Sequence, residues 1–415
     1  MDLPSQTRVR QRFDSTHIDD VEGEVHRQLV ASGVTIRPGA SIAIATGSRG
    51  IDHIAVIVRC VVRWVQGQGG EPFIVPAMGS HGGATAEGQR RVIEGYGVTG
   101  AYCGAPIRSS MEVVQLPQGD VPVPVYLDRH ASEADGVIVV NRVKPHTSFH
   151  GRYESGLAKM ISIGLGKHAQ ALAIHDLGVR GLREVMPRVA RAILATGKVL
   201  LGVGIVENAY DRTMVVRAIP ASGIMEEEPL LLDLARRHMP RLPVEDIDIL
   251  VVDEMGKDIS GVGMDTSVIG RLKIRGQSEP ETPRIKMIFV RGLSGGSHGN
   301  AVGIGLADVT TRRLFEKIDF RATYENVITT TFLERGKIPI VAETDRQAME
   351  IAVRGCGLVS AEHARIVRIR NTLHLEDLLV SPAVLKDLRG QGAIETGEVV
   401  RDVLDARGSL APFGG

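Results

Sequence analysis

Little in this chain points to a cross-linked, membrane-spanning or polyanion-binding protein. Cysteine is scarce: the 415 residues hold three, Cys60, Cys103 and Cys356, odd in number and far apart. No CxxC or other clustered spacing occurs, which argues against cysteine-based zinc or iron–sulfur sites and favours buried thiols in a reducing cytosol. Charge of one sign is not in excess either. Lys+Arg and Asp+Glu balance at 49 each, so net charge leaves no footprint for nucleic acid or an anionic membrane. A local basic pocket stays compatible with that balance. The opening MDLPSQTRVRQRFD lacks an apolar signal core, and no run approaches about 18 apolar residues. The expectation is a cytoplasmic protein with neither a membrane nor a nucleic-acid partner. No motif repeats at a fixed period, which removes solenoids.

What is present is a globular composition, 43% hydrophobic and 24% charged. The length exceeds one ordinary core and suggests two or three domains. Glycine, at 48 residues, exceeds the average usage of about 7%, and much of the excess sits at the ends of predicted strands. An amphipathic helix is expected over residues 19–31, a strand from 41 that breaks at the turn 47–50, and a helix over 53–68. Strand 72–77, a glycine-rich turn and a helix from Thr85 repeat the plan. Residues 99–125, with several prolines, read as irregular or as a β-excursion. GVIVV (136–140), KVLLGVGIVENAY (198–210) and DIDILVVDEMG (246–256) read as strands. Helices are expected around 181–195, 226–243, 306–318 and 345–354. Strands that are continuously apolar, alternating with helices, indicate an α/β fold: two α/β domains with mainly parallel sheets and an interdomain cleft. The boundary falls near 240–246, giving an N-terminal cofactor-binding and catalytic domain (1–243) and a C-terminal domain (244–415) closing the substrate cleft.

The stretch 141–175, NRVKPHTSFHGRYESGLAKMISIGLGKHAQALAIH, concentrates His146, His150, His168 and His175 with Lys144, Lys159 and Lys167 among four glycines. In open α/β sheets ligands bind beyond the carboxyl ends of strands. Three predicted strands end in TGSRG (46–50), MGSHGGAT (78–85) and NRVKPH (141–146), which would bring Arg49, His81 and His146 to one edge. An arginine clamps a carboxylate, and imidazoles move protons near neutral pH. The glycines allow backbone N–H groups to approach a phosphate or nucleotide. None of the turns is a Walker A or GxGxxG fingerprint.

MGSHGGAT, KPHTSFHGRYESGLAKM and the following His175 resemble the nickel-pincer-nucleotide-dependent lactate racemase family, recognisably in the N-terminal half and only in general plan beyond it. In that family a lysine after a Gly/Ser-rich turn attaches covalently to a nickel-bearing pyridinium nucleotide (the Ni-pyridinium-3,5-bisthiocarboxylic acid mononucleotide). A histidine sixteen positions downstream ligates the metal. Lys159 in ESGLAK and His175 repeat that interval here. The resemblance implies His81 and His146 as catalytic residues, Lys159, Arg49, Ser48, Gly82 and Gly156 as cofactor-binding, and His175 as the metal ligand. It implies a 2-hydroxy acid as substrate, cofactor-maturation enzymes as partners, and an isomerase that moves hydride and protons. It leaves room for a homo-oligomer. His150 competes with His146, because the interval to Lys159 is three residues longer than the family's. The turn at Arg49 lacks the family's aspartate. The substrate-facing Gln and Lys of lactate-specific members have no clear equivalent in DEMGKDISGVGMDTSVIGR, where Lys257, Asp258 or Asp265 could substitute, so lactate itself is not implied. SGGSHGNAVGIG (294–305), with His298, is a second glycine-rich turn expected at the same cleft.

Each residue has a plainer reading. His81 would be a solvated turn histidine, Lys159 a surface lysine paired with Glu154, and His175, in the apolar run ALAIH, a core histidine. For the whole chain the alternatives are a non-catalytic nucleotide- or phosphate-binding α/β protein, or a metal hydrolase using His81, His146 and His175 as ligands. No HxH or HExxH motif accompanies those three histidines.

Overall fold

The computed structural model describes residues 2–413 apart from 48, 49 and 402. The chain divides into two compact units, Asp14–Met239 and Met1–Phe13 with Pro240–Gly415. Both are α/β. Residues 1–13 are expected with the N-terminal domain. They belong instead to the other unit, because β1 (Gln6–Gln11) fills a place in its sheet.

In the Asp14–Met239 unit, β2 (Ser41–Thr46), β3 (Glu71–Pro76), β6 (Gly136–Arg142), β7 (Val199–Glu207) and β8 (Thr213–Pro220) form one sheet, while β4 (Val113–Leu116) and β5 (Val125–Asp128) form a separate hairpin. The hairpin is the β-excursion expected in the proline-rich 99–125 region. The five-stranded order is β3-β2-β6-β7-β8, parallel except for β8. Residues 42–46 and 136–140 are buried, which is why these strands read as unbroken apolar runs rather than as alternating ones. One face packs against helices Val21–Ala31 and Ile54–Gly67, whose Val25, Leu29, Ile57, Val58 and Val61 are fully buried with Ile42, Ile44 and Ile138. Asp20 caps the first of these helices and Thr85 caps helix Ala86–Gly95, each accepting a backbone N–H three residues on.

The other unit carries β9 (Asp246–Val252), β10 (Arg284–Val290), β11 (Val309–Thr311), β12 (Ile340–Ala342), β13 (Ile366–Ile369), β14 (Asp377–Val380) and β15 (Ile394–Val400). With β1 they make an eight-stranded sheet in the order β12-β11-β10-β9-β13-β14-β1-β15. Its first five strands are parallel, and β14, β1 and β15 continue it antiparallel. The helix expected over 306–318 is mostly not one. Val309–Thr311 extends the parallel sheet, and only Arg312–Phe315 turns helical, capped by Thr311. Val309 is fully buried and Thr310 and Thr311 are buried with it. Three consecutive β-branched residues with buried partners override a helical period.

Candidate functional site

The order β3-β2-β6 places the first strand of the Asp14–Met239 sheet between its two successors, so the chain departs to opposite sides of β2. That is the topological switch point at which open α/β sheets receive ligands. The strand ends are level there: Thr46 lies beside Pro76 on β3 and Val140 on β6. The Ala77 N–H donates to the Thr46 carbonyl at 2.8 Å. Ser48 and Arg49, in the turn after β2, lie outside the described residues.

Beyond these ends runs one nearly continuous helical segment: Leu157–Lys159, a π-helical stretch Met160–Gly164, and Lys167–His175. Single π-turns inside helices mark functional sites more often than chance. This one packs onto the turn that bears His81. The Gly79 N–H reaches the Gly164 carbonyl at 3.4 Å. A Cβ on Gly164 would lie 2.9 Å from the Ala77 carbonyl oxygen, and one on Gly47 would lie 2.7 Å from Met160 Cε and 3.0 Å from Asn141 Oδ1. Asn141, near the end of β6, donates through Nδ2 to the Gly156 carbonyl at 3.0 Å and so ties the strand end to the turn before Lys159.

Lys159 and His175 therefore stand on one segment, sixteen residues apart, and they feel each other electrostatically. Burial, and next the Lys159 charge, push the His175 imidazole down to about 4, against a small opposing pull from Asp176. At neutral pH His175 is an uncharged imidazole with a lone pair available to a metal. Lys159 is half-buried.

A carboxyl group underlies this segment. Glu228, on helix Ile224–His238, is fully buried, and its Oε2 accepts the Ala158 N–H at 2.6 Å while Oε1 has no hydrogen-bond partner. Burial pushes its acid group up to about 7, against the N–H groups of Ala158 and Leu157. Gly156 is a glycine for this reason, since a Cβ there would come within 2.2 Å of Glu228 Oε1.

His146 and His150 sit on a loop closed at its base by paired backbone bonds, Lys144 N–H to Ser155 O at 2.8 Å and Ser155 N–H to Lys144 O at 3.2 Å. Inside it Glu154 is fully buried and holds four groups. Its carboxylate accepts the N–H of His146 at 2.6 Å and of Gly151 at 3.0 Å, bonds Arg236 at 2.7 Å, and lies 3.5 Å from His150 Nδ1. Burial opposes its charge, but those bonds outweigh it and keep the carboxylate below its ordinary range. Glu154 is thus the organiser of the histidine loop. The His146 ring lies 4.6 Å from that of Phe149, and its Nδ1 accepts the Ser148 N–H at 3.0 Å. A neutral His146 accordingly carries its proton on Nε2.

His81 is exposed and opens the one-turn helix Gly82–Ala84. Gly82 has φ +65°, and a Cβ there would meet the Gln89 backbone nitrogen at 2.6 Å, so the turn requires glycine whatever it binds. His81, Gly82, Gly156, Lys159 and His175 lie on turns and segments packed at the same sheet edge, and His146 follows the strand beside it. His168 and His298 are exposed, and His298, Lys257, Asp258 and Asp265 belong to the other unit. There Lys257 Nζ donates to Asn326 Oδ1 at 2.5 Å, and Asp265 caps the short helix Thr266–Ile269. Among the described residues no three His, Cys, Asp or Glu side chains come together as a metal cage. Burial pushes all three thiols up to about 11, so they are protonated at neutral pH. No helix among the described residues is long and apolar enough to cross a membrane.

Sequence reasoning missed Asn141, Glu154 and Glu228. For Glu228 a signal existed: it shares a helical face with Met225, Leu231 and Leu232, all buried, and so occupies a core position in an otherwise acidic helix start.

No protein-family model and no curated protein matches the chain. The solved structures similar to it include the following two. A structural-genomics protein from Thermotoga maritima aligns over 83% of this chain and 92% of its own, at 13% identity and a TM-score of 0.48. The lactate racemase apoprotein from Thermoanaerobacterium thermosaccharolyticum aligns over 89% of this chain and 98% of its own, at 12% identity and a TM-score of 0.52. At that identity the likeness is one of fold alone: the chain has a lactate-racemase-like fold.

Proposed function

We propose that the protein is a racemase or epimerase of a 2-hydroxy acid that works with a nickel-pincer nucleotide. The observation that supports this most is the pair Lys159 and His175. They lie on one helical segment at the switch-point edge, with the imidazole kept neutral by burial and by the lysine's charge.

The donor set fits the group. A metal held by protein alone would need three or more ligands converging, and the described residues offer no such cluster. A single neutral imidazole suits a metal that arrives with its other ligands in an organic cofactor. In this reading Lys159 holds the nucleotide through its ε-nitrogen and His175 supplies the protein's ligand to nickel. The glycine-framed turns at Gly82 and Gly156 would line the nucleotide's approach; Ser48 and Arg49 lie outside the described residues. When bound, the cofactor supplies reversible hydride acceptance at the substrate's α-carbon.

Proton traffic falls to this chain. His81, exposed at the end of β3, takes the substrate's hydroxyl proton in one direction. His146, whose Nδ1 accepts the Ser148 N–H, presents its Nε2–H as a hydrogen-bond donor to the substrate oxygen, and the proton taken by His81 is the one returned when the hydroxyl re-forms. Glu154 fixes the His146 backbone, and Glu228 and Asn141 fix the turn that presents Lys159. A base and a hydrogen-bond donor at the oxygen of a planar 2-keto acid suit inversion at the α-carbon. The test is a screen of enantiopure 2-hydroxy acids, with chiral chromatography as readout, on protein co-expressed with the cofactor-maturation enzymes. Inversion that is lost in His81→Ala and His146→Ala supports the proposal. Full activity in both variants removes it.

A further inference from the structure

Beneath the His81 turn lies a buried charge that the proposed reaction does not use. Lys167 is fully buried, although lysine is almost never found so unless paired. Its backbone is left-handed, φ +53°, a conformation that a residue with a side chain holds only when its surroundings impose it. Its ammonium lies 3.2 Å from Asp128 Oδ2, with both side chains wholly out of solvent. It also donates to the Pro76 carbonyl, the last residue of β3, and to Gln89 Oε1 at 3.2 Å. Gln89, fully buried as well, turns its amide the other way and donates to the Gly79 carbonyl at 2.8 Å and the His81 carbonyl at 3.3 Å. Asp128 is anchored in turn, since its Oδ1 accepts the Ala131 N–H at 2.9 Å.

We propose that Asp128, Lys167 and Gln89 form a buried relay that positions His81, holding the end of β3 and both carbonyls flanking Ser80 at a fixed distance from the segment that bears Lys159. The inference rests on the proposed role of His81 for its catalytic meaning, but not for its structural content. Burial lowers the lysine's proton affinity and Asp128 restores part of it. An ammonium placed at such cost for packing alone would be replaced readily by an apolar side chain. Here its directional bonds are what the turn needs. A lysine that bonds two acceptors on two elements and pairs with a carboxylate on a third defines a point in space that a methionine could not. Lys167, Gln89 and Asp128 are positioning residues, none of them touching substrate.

Gln89→Met keeps the volume and removes both donors to the turn while leaving the Lys167–Asp128 pair in place. The readouts are the His81 imidazole C–H resonance, identified by its loss in His81→Gln, and amide exchange over residues 79–85, both on the protein without cofactor. Expected are a shifted or broadened His81 signal and exchange faster by roughly five- to thirtyfold, the range for losing one or two net hydrogen bonds. Should Gln89→Met fail to fold, Gln89→Asn, one methylene too short to span both carbonyls, is read in the same way. In loaded enzyme that turns over, kcat should fall roughly 100-fold, as for a misplacement of about 1 Å, with KM within about twofold. A folded variant with an unchanged His81 resonance and unchanged exchange overturns the relay. So does a rise in KM at constant kcat. Absence of turnover in the loaded wild type would fail the racemase reading alone, and the resonance and exchange would still decide the relay.

Discussion

Replacing Glu228 by Gln should stabilise the protein in mild alkali and leave it nearly unchanged in mild acid. The carboxyl is fully buried beneath the turn 156–158, and burial lifts it from an ordinary 4.5 to about 7. A raised pKa means that the folded state binds more protons than the unfolded one between about 4.5 and 7. Stability then falls as pH rises through that window and is fully penalised above it. At about 1.36 kcal/mol per unit the shift corresponds to roughly 2–3 kcal/mol once relaxation is discounted. Glutamine keeps the acceptor that takes the Ala158 N–H and puts a neutral amide where Oε1 has no partner. For a unit of this size that energy is worth about 5–10 °C in Tm. Thermal melts of both proteins at pH 5 and pH 8 provide the check. The curves should coincide at the lower pH and separate at the higher, with the variant more stable. Equal melting temperatures at pH 8, or a variant less stable there, would refute the burial argument and the role given to this carboxyl.

Other outcomes follow from the same geometry. His175 is displaced in the opposite sense, from 6.5 to about 4, so its burial lowers stability as pH falls through that window. An imidazole NMR titration of the protein without cofactor should find it neutral down to about pH 4. Lys159→Ala should move that midpoint upward while leaving it below 6.5, because burial is the larger cause; no movement would mean that the two groups do not sense each other. Gly156→Ala should lower stability by roughly 1–3 kcal/mol, since its Cβ meets a buried carboxyl oxygen at 2.2 Å, and Glu228→Ala in the same chain should relieve most of the loss in a double-mutant cycle.

Much of the architecture was legible because its signals are local. Apolar β2 and β3 run into glycine-bearing turns and β6 into the His146 loop, and Thr85 and Asp20 cap helices as their types and positions suggest. Where the sequence misled, long-range pairing decided. Val309–Thr311 is a strand because β10 and β12 flank it. The N-terminal segment joins a sheet formed more than 360 residues later, as Val9 pairs with Leu378. Motif and spacing marked His81 and His146, which follow strand ends, and Lys159 and His175, which stand on one helical segment. The groups that hold them were hidden for a physical reason. Glu228, Gln89 and Lys167 are polar residues at core positions, and they read as surface residues until the partners that accept their burial are known.

The measurement that tests the central claim most directly is intact mass with nickel analysis of protein co-expressed with the cofactor-maturation enzymes, followed by peptide mapping. The account predicts a covalent adduct on Lys159, nickel at about one per chain, loss of both in Lys159→Ala, and loss of nickel with retention of the adduct in His175→Ala. An unmodified chain that is free of nickel and lacks cofactor absorbance before dialysis would contradict it.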